Sequence, residues 1–189
     1  MKEYRPPQYD SSYWCLSASF GDFNILCTTA HFASLVAQQG VDVYTFVFAY
    51  PPSNNGFYAT PDDLGAYHAS EIPFIWHTYF DFTPSEEQLS QQIQGAWLQF
   101  AKEGSPGVVD GLAWPSWKTS DGSSQINVTS GEIAANATHK EAATSPYQSF
   151  QFNIPECNVQ DDMGIPDRCK FWDEQPPYTP QTLLGGCSL

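Results

Sequence analysis

Residues 27–50 read CTTAHFASLVAQQGVDVYTFVFAY, and their order decides the fold class. Ala30, Phe32, Ala33, Leu35, Val36 and Ala37 suggest one helical face between Cys27 and Gln39, which Gly40 closes as a C-terminal cap. Val41 to Tyr50 then turns β-branched and aromatic and reads as a buried strand. A helix that feeds directly into a strand suits an α/β unit.

Downstream, Pro51 to Leu64 is rich in turn residues and predicts a long loop, a length that in compact domains is often functional. The clearest helix follows. Thr83-Pro84-Ser85-Glu86 places a hydroxyl at the N-cap, proline at the first helical position and glutamate three residues on. Leu89, Ile93, Ala96, Trp97, Phe100 and Ala101 continue the face, and Gly104 ends it. Ser105 to Thr144 is rich in Gly, Ser and Asn, with Leu112 and the Trp114-Pro115-Ser116-Trp117 cluster as its anchor on a core. Upstream, residues 1–20 mix aromatic and polar side chains without a clean period and are expected to be an irregular lead-in. Beyond Phe171 the tail is Pro-rich, with Pro176, Pro177 and Pro180, and is expected to be poorly ordered.

Seven Lys and Arg against 21 Asp and Glu give a net charge of −14 in 189 residues, a length that suits one domain or a large part of one. That balance argues against a nucleic-acid partner, whose phosphates require basic side chains, and against an anionic membrane surface. Six Trp, ten Tyr and thirteen Phe are far more than a disordered acidic tail carries. No apolar run reaches the roughly 18 residues of a membrane span, and the first seven residues lack the apolar stretch of a signal peptide.

The five cysteines, Cys15, Cys27, Cys157, Cys169 and Cys187, are widely spaced, odd in number and never arranged as C-x-x-C. Two sequons, Asn127-Val128-Thr129 and Asn136-Ala137-Thr138, lie in one polar stretch. Together these features point to glycosylation at Asn127 and Asn136 and to an oxidising, secretory compartment.

The four histidines are His31, His68, His77 and His139, and no pair has the spacing of a metal site, so neither metal nor cofactor is expected. His31 falls among the apolar residues of the predicted helix and reads as a satisfied structural histidine; His139 reads as solvated. His68 stands apart, after a long loop and beyond a core strand, where a rigid element holds a side chain suited to general-base work. No G-x-S-x-G elbow and no Gly-rich phosphate loop accompany it, so the chain offers a base without a visible nucleophile.

Several segments resemble those of type-B carboxylesterases and cholinesterases in collinear order. They are Gly21-Asp22-Phe23-Asn24-Ile25-Leu26-Cys27 with His31-Phe32, Gly65-Ala66-Tyr67-His68-Ala69-Ser70-Glu71-Ile72-Pro73-Phe74, Trp97-Leu98-Gln99-Phe100-Ala101-Lys102, Trp114-Pro115 and Cys169-Lys170-Phe171-Trp172. The second resembles the family's G-x-x-H-x-x-E segment, which carries its catalytic histidine. The resemblance implies an α/β-hydrolase fold with a triad in the order Ser, Asp/Glu, His. It implies that residues 21–172 are the carboxy-terminal portion of that domain, an incomplete sheet with flanking helices, and that residues 173–189 are a tail. Serine, acid and oxyanion hole would lie in a missing amino-terminal part together with a signal peptide. That part would be a partner of this chain, which would alone be inactive. None of Asp22, Asp42, Asp62 and Asp63 is assigned as the acid.

Under this resemblance His68 is the general base and acid of a serine esterase acting on a small carboxylic ester. Glu71 is a buried carboxylate behind it or a helix-start acid. Phe74, Trp76, Tyr79 and Phe80 line a pocket or belong to the core. The resemblance also pairs Cys27 with Cys169 and leaves Cys15, Cys157 and Cys187 without partners. The chain would be a truncated gene model, a processed chain or a remnant. A non-catalytic adhesion or interaction domain is the competing reading, because the family includes members without the triad.

Overall fold

Seven buried positions run along the first helical segment: Cys15, Ser19, Asp22, Cys27, Ala30, Ala33 and Ala37. Their steps are three or four residues, as one face of an α-helix requires, except for the step of five from Asp22 to Cys27. A π-helical turn, Asp22–Leu26, absorbs the extra residue and keeps the face in line. It joins α1, Ser12–Gly21, to α2, Cys27–Ala37. The computed structural model describes residues 11–53, 64–78, 81–117, 147–161 and 165–174. The chain divides into two units, residues 1–35 with 162–189 and residues 36–161.

In the first unit, residues expected to be irregular are helical from Ser12 onward. The Ser11 hydroxyl caps α1 by accepting from the Trp14 amide at 3.4 Å. The period is hidden in the sequence because the inward residues of α1 are small, whereas Tyr13, Trp14, Leu16 and Phe20 are exposed. The same inversion holds in α2. Cys27, Ala30 and Ala33 are buried, while Phe32 and Leu35, placed on the apolar face by pattern, are more than half exposed. His31 is not a core histidine: it lies off that face and meets Asp173 at 3.1 Å with its side chain half exposed.

The remaining described element of this unit is α5, Ile165–Asp173. Cys27 and Cys169 are joined by a disulfide whose Cα atoms are 5.2 Å apart. It closes 142 positions of sequence, which in the chain-entropy model is worth at most roughly 5 kcal/mol. Arg168 grips the buried Asp22 with both arms of its guanidinium, Nε donating to Oδ2 at 2.7 Å and Nη2 to Oδ1. Phe23 packs on Trp172 at 5.1 Å. Cys15 is also disulfide-bonded, whereas Cys157, in the other unit, is free and buried.

The second unit is built on a three-stranded sheet of β1, Phe46–Phe48, β4, Ser149–Phe152, and β5, Asn158–Gln160. β1 runs parallel to β4 with Phe46 opposite Phe150, and β5 runs antiparallel to β4 with Val159 opposite Phe150. The predicted strand from Val41 to Tyr50 is therefore shorter, and it is half-buried rather than buried. Among the described residues it has a strand partner on one edge only. Ahead of it, the Val43 carbonyl accepts from the Trp117 amide at 2.7 Å, and the Thr45 carbonyl accepts from Trp114 Nε1 at 3.0 Å and the Phe150 amide at 3.0 Å.

Two helices cover the sheet residues: α3, Ile72–Trp76, and α4, Pro84–Glu103. The core joins Phe74, Leu89, Ile93, Ala96, Trp114, Phe150 and Phe152, with Trp114 stacked on Phe150 at 4.8 Å. Trp114 and Trp117 thus anchor their segment as predicted. A hairpin unseen in the sequence pattern, β2 Val108–Val109 with β3 Leu112–Ala113, turns through Asp110 and Gly111. Their φ values of 53° and 75° are what a two-residue Asp-Gly hairpin loop demands.

The capping box predicted for α4 is present in full, and Gly104 ends the helix at φ 72°. Thr83→Ala is expected to lower stability by about 1 kcal/mol and Thr83→Ser by much less, read from chemical unfolding midpoints.

Candidate active site

All three described histidines are exposed, and His68 alone has no hydrogen-bond or ion-pair partner among the described residues. It sits in a run of turns that leads without a break into α3. The Ser70 amide donates to the Tyr67 carbonyl at 3.0 Å, Ile72 to Ala69 at 3.2 Å and Phe74 to Glu71 at 3.0 Å. Ala69, the next residue, holds φ at 70°, a left-handed conformation that an L-alanine adopts only under strain. The imidazole is thus carried on a tightly bent, hydrogen-bonded segment, and both ring nitrogens are free to meet a reactant.

Glu71 is half-buried, and no hydrogen bond joins it to His68. Its backbone starts α3, with no side-chain cap. Of the two alternatives for Phe74, its burial matches the core: it is fully buried against Phe48 at 5.0 Å and Phe82 at 4.8 Å. Trp76 is 71% exposed on the far end of α3. Tyr79, Phe80, Asn127, Asn136, His139 and Cys187 lie outside the described residues. A cleft of about 210 Å³ lies elsewhere, between Tyr44, Phe46, Trp97, Phe100, Pro106 and Trp114, and His68 is not part of it. Among the described residues, no serine is hydrogen-bonded to a histidine, and no three acidic, cysteine or histidine side chains form a metal set. Cys157 is no substitute nucleophile, because burial pushes its thiol up and away from the reactive thiolate.

Three polar groups of this unit have environments that the sequence did not announce. Ser70 is 1% exposed, and its hydroxyl has no partner. Glu86, read only as a cap, accepts five hydrogen bonds: from Tyr50 Oη at 3.2 Å, the Ser53 amide and hydroxyl at 2.8 Å each, and the Thr83 amide and hydroxyl at 2.8 Å each. Burial would raise its pKa, but these donors outweigh it and hold the carboxyl below the usual range. Burial and the Glu86 charge push Tyr50 up to about 12. His77 holds the left-handed position after α3 at φ 51° and meets Glu87 of α4 at 2.5 Å, with its ring against Phe82. The bond to Glu87 raises the His77 pKa, and the same bond, with Gln91, lowers that of Glu87. Glu87 was not singled out in the sequence, since its partner lies across a turn.

The model of the carboxylesterase family matches residues 1–146. This chain belongs to the carboxylesterase family. Acetylcholinesterase of Bungarus fasciatus is 30% identical over 106 residues, covering 53% of this chain and 17% of that protein. Acetylcholinesterase of Gallus gallus is 33% identical over 105 residues, covering 53% of this chain and 13% of the relative. A solved carboxylesterase of Geobacillus stearothermophilus superposes with a TM-score of 0.56 at 22% identity, over 90% of this chain and 30% of its own. The carboxylesterase fold is therefore shown, and the matched stretch spans less than a fifth of the length of the two acetylcholinesterases. No described helix is long and apolar enough to cross a membrane.

Two outcomes follow. Ser70→Ala is expected to leave stability unchanged or raise it by up to about 1 kcal/mol, because the hydroxyl it removes is buried and unpaired. The His77–Glu87 pair stabilises most between about pH 5 and pH 6. Its His77 contribution, with a raised folded pKa, is complete below the unfolded value and is lost as pH rises through the folded one. The Glu87 contribution, with a lowered folded pKa, is complete above the unfolded value and is lost as pH falls through the folded one. The difference in urea midpoint between wild type and His77→Gln should peak in that window and shrink above pH 8.

Proposed function

We propose that this chain supplies the general base, His68, of a serine carboxylesterase that works through an acyl-enzyme. The observation that carries the reading is the exposed, unpartnered imidazole on a strained turn within the stretch that the family model matches. The serine hydroxyl, the acid that orients the imidazole and the oxyanion donors would come from the rest of an esterase domain. His68 would take the serine proton as the oxygen attacks the ester carbonyl, then return that proton to the departing alcohol. It would next take a proton from water, whose oxygen attacks the acyl carbon, and return it to the serine oxygen as the acid leaves. An imidazole suits each duty because its unperturbed pKa is near 6.5, so both forms are accessible near neutrality.

Exposed apolar residues support docking to the rest of such a domain. Tyr13, Trp14, Leu16, Phe20, Ile25, Phe32 and Leu35 leave one side of the first helices apolar and open, more than a lone soluble helix pair ordinarily exposes. The same face supports a second reading, a non-catalytic adhesion or interaction domain. The Cys27–Cys169 disulfide supports maturation in an oxidising, secretory compartment, with glycans on Asn127 and Asn136.

The 189-residue chain by itself is expected to hydrolyse a nitrophenyl ester no faster than buffer. In a polypeptide that also carries a G-x-S-x-G portion, His68→Ala should cut turnover by several orders of magnitude with an unchanged melting curve. On the order of 10³ to 10⁴ over water would remain from binding and the oxyanion hole. Near-normal turnover in His68→Ala would remove His68 as the base, and no turnover in the intact polypeptide would favour the adhesion reading.

A further inference from the structure

We infer that Ser90, assisted by Gln94 and Glu86 on the same stripe of α4, is a positioning residue for His68. The inference rests on the reading of His68 as the base.

Residues 86, 90 and 94 are spaced four apart and share one face of the helix. That face is buried, with Glu86 at 2% and Ser90 at 0% exposure, where a helix packed on a sheet ordinarily places Leu or Ala. Each polar group on it is used. The Ser90 hydroxyl donates to the Phe74 carbonyl at 2.7 Å. Gln94 Nε2 donates to the same carbonyl at 3.4 Å and to the Ser90 hydroxyl at 3.1 Å. Glu86 holds Tyr50 and Ser53. Those two residues precede His68 in the chain, and Phe74 follows it. One stripe therefore grips the chain on both sides of the histidine.

The downstream grip reaches His68 through rigid steps. Phe74 is bonded to Glu71, Ile72 to Ala69 and Ser70 to Tyr67, and His68 lies within the last of these turns. α3 has only five residues, so its carbonyls have few partners of their own, and a short helix of this kind has little stability unless something outside it fixes its end. The strained Ala69 requires the same support, since left-handed alanine persists only where its surroundings dictate it. Ser90, itself fully buried, supplies that outside hold from the core side. A histidine displaced by about 1 Å from its nucleophile can lose on the order of 10²-fold in rate, so such a hold acts on turnover more than on binding.

The decisive measurement is amide exchange in the full chain carrying Ser90→Ala. Exchange at residues 67–72 should accelerate about fivefold to tenfold, the loss of one hydrogen bond, while amides in the middle of β4 stay as in wild type. The His68 Cε1–H signal should broaden or shift. Equal acceleration everywhere would mean a merely structural role and overturn the proposal, as would no change at 67–72. Should Ser90→Ala fail to fold, Gln94→Ala gives the same reading at a half-buried site, with a smaller effect at 67–72 expected and none overturning it. In the polypeptide that carries the nucleophile, Ser90→Ala should lower kcat at least tenfold with KM held within twofold, whereas a KM rise at constant kcat would also overturn it. The two readings fail separately. Full activity in His68→Ala removes the base but leaves the exchange result standing. Unchanged exchange at 67–72 removes the positioning role even if His68→Ala is inactive.

Discussion

The Glu86 carboxylate is the constraint on which the second unit depends. A charged carboxyl at 2% exposure is tolerable only because five donors surround it. Two of them, the Thr83 amide and hydroxyl, fix where α4 begins; the other three fix where the chain goes after β1. With α4 set, its inner face fills the space against Phe74, Phe150, Phe152 and Trp114, and the Thr45 carbonyl takes the indole N–H that this packing would otherwise strand. One charged group thus sets the start of the core helix and the exit of the first strand.

The first unit obeys a different constraint. Its helices close on each other with small residues, so the large rings are left outside and the cohesion comes from specific links: the Cys27–Cys169 disulfide, the two-armed Arg168 grip on Asp22 and the Phe23–Trp172 contact. The π turn exists because Asp22 and Cys27 must share one face while lying five residues apart. A buried aspartate held by arginine is costly to remove but adds little net stability.

The second unit bears on His68 by supplying rigidity without chemistry of its own. The imidazole has no partner among the described residues, its neighbour Ala69 is strained and the helix that follows is short. Ser90 and Glu86 of α4 bond to α3 and to the chain after β1, on either side of it in sequence. Ester hydrolysis of the proposed kind needs a base whose position is fixed but whose nitrogens are not already used.

Local chemistry settled several features before any coordinates. Thr83, Pro84 and Glu86 announce the start of α4, because a cap is made by residues three apart in sequence. Gly104 announces its end, and Trp114 and Trp117 announce an anchor, because bulky indoles in a polar stretch have to be buried somewhere. The family segment around His68 was legible for the same reason, being contiguous. What only the tertiary structure decided involves partners far apart in the chain. Phe74 is buried in the core, His31 faces Asp173, and α1 and α2 bury their alanines and cysteines while exposing Phe32 and Leu35. Apolar periodicity finds the greasiest face of a helix, but which face is buried depends on how closely the neighbour approaches. A helix pinned by a disulfide and a salt bridge approaches closely enough that only small side chains fit between.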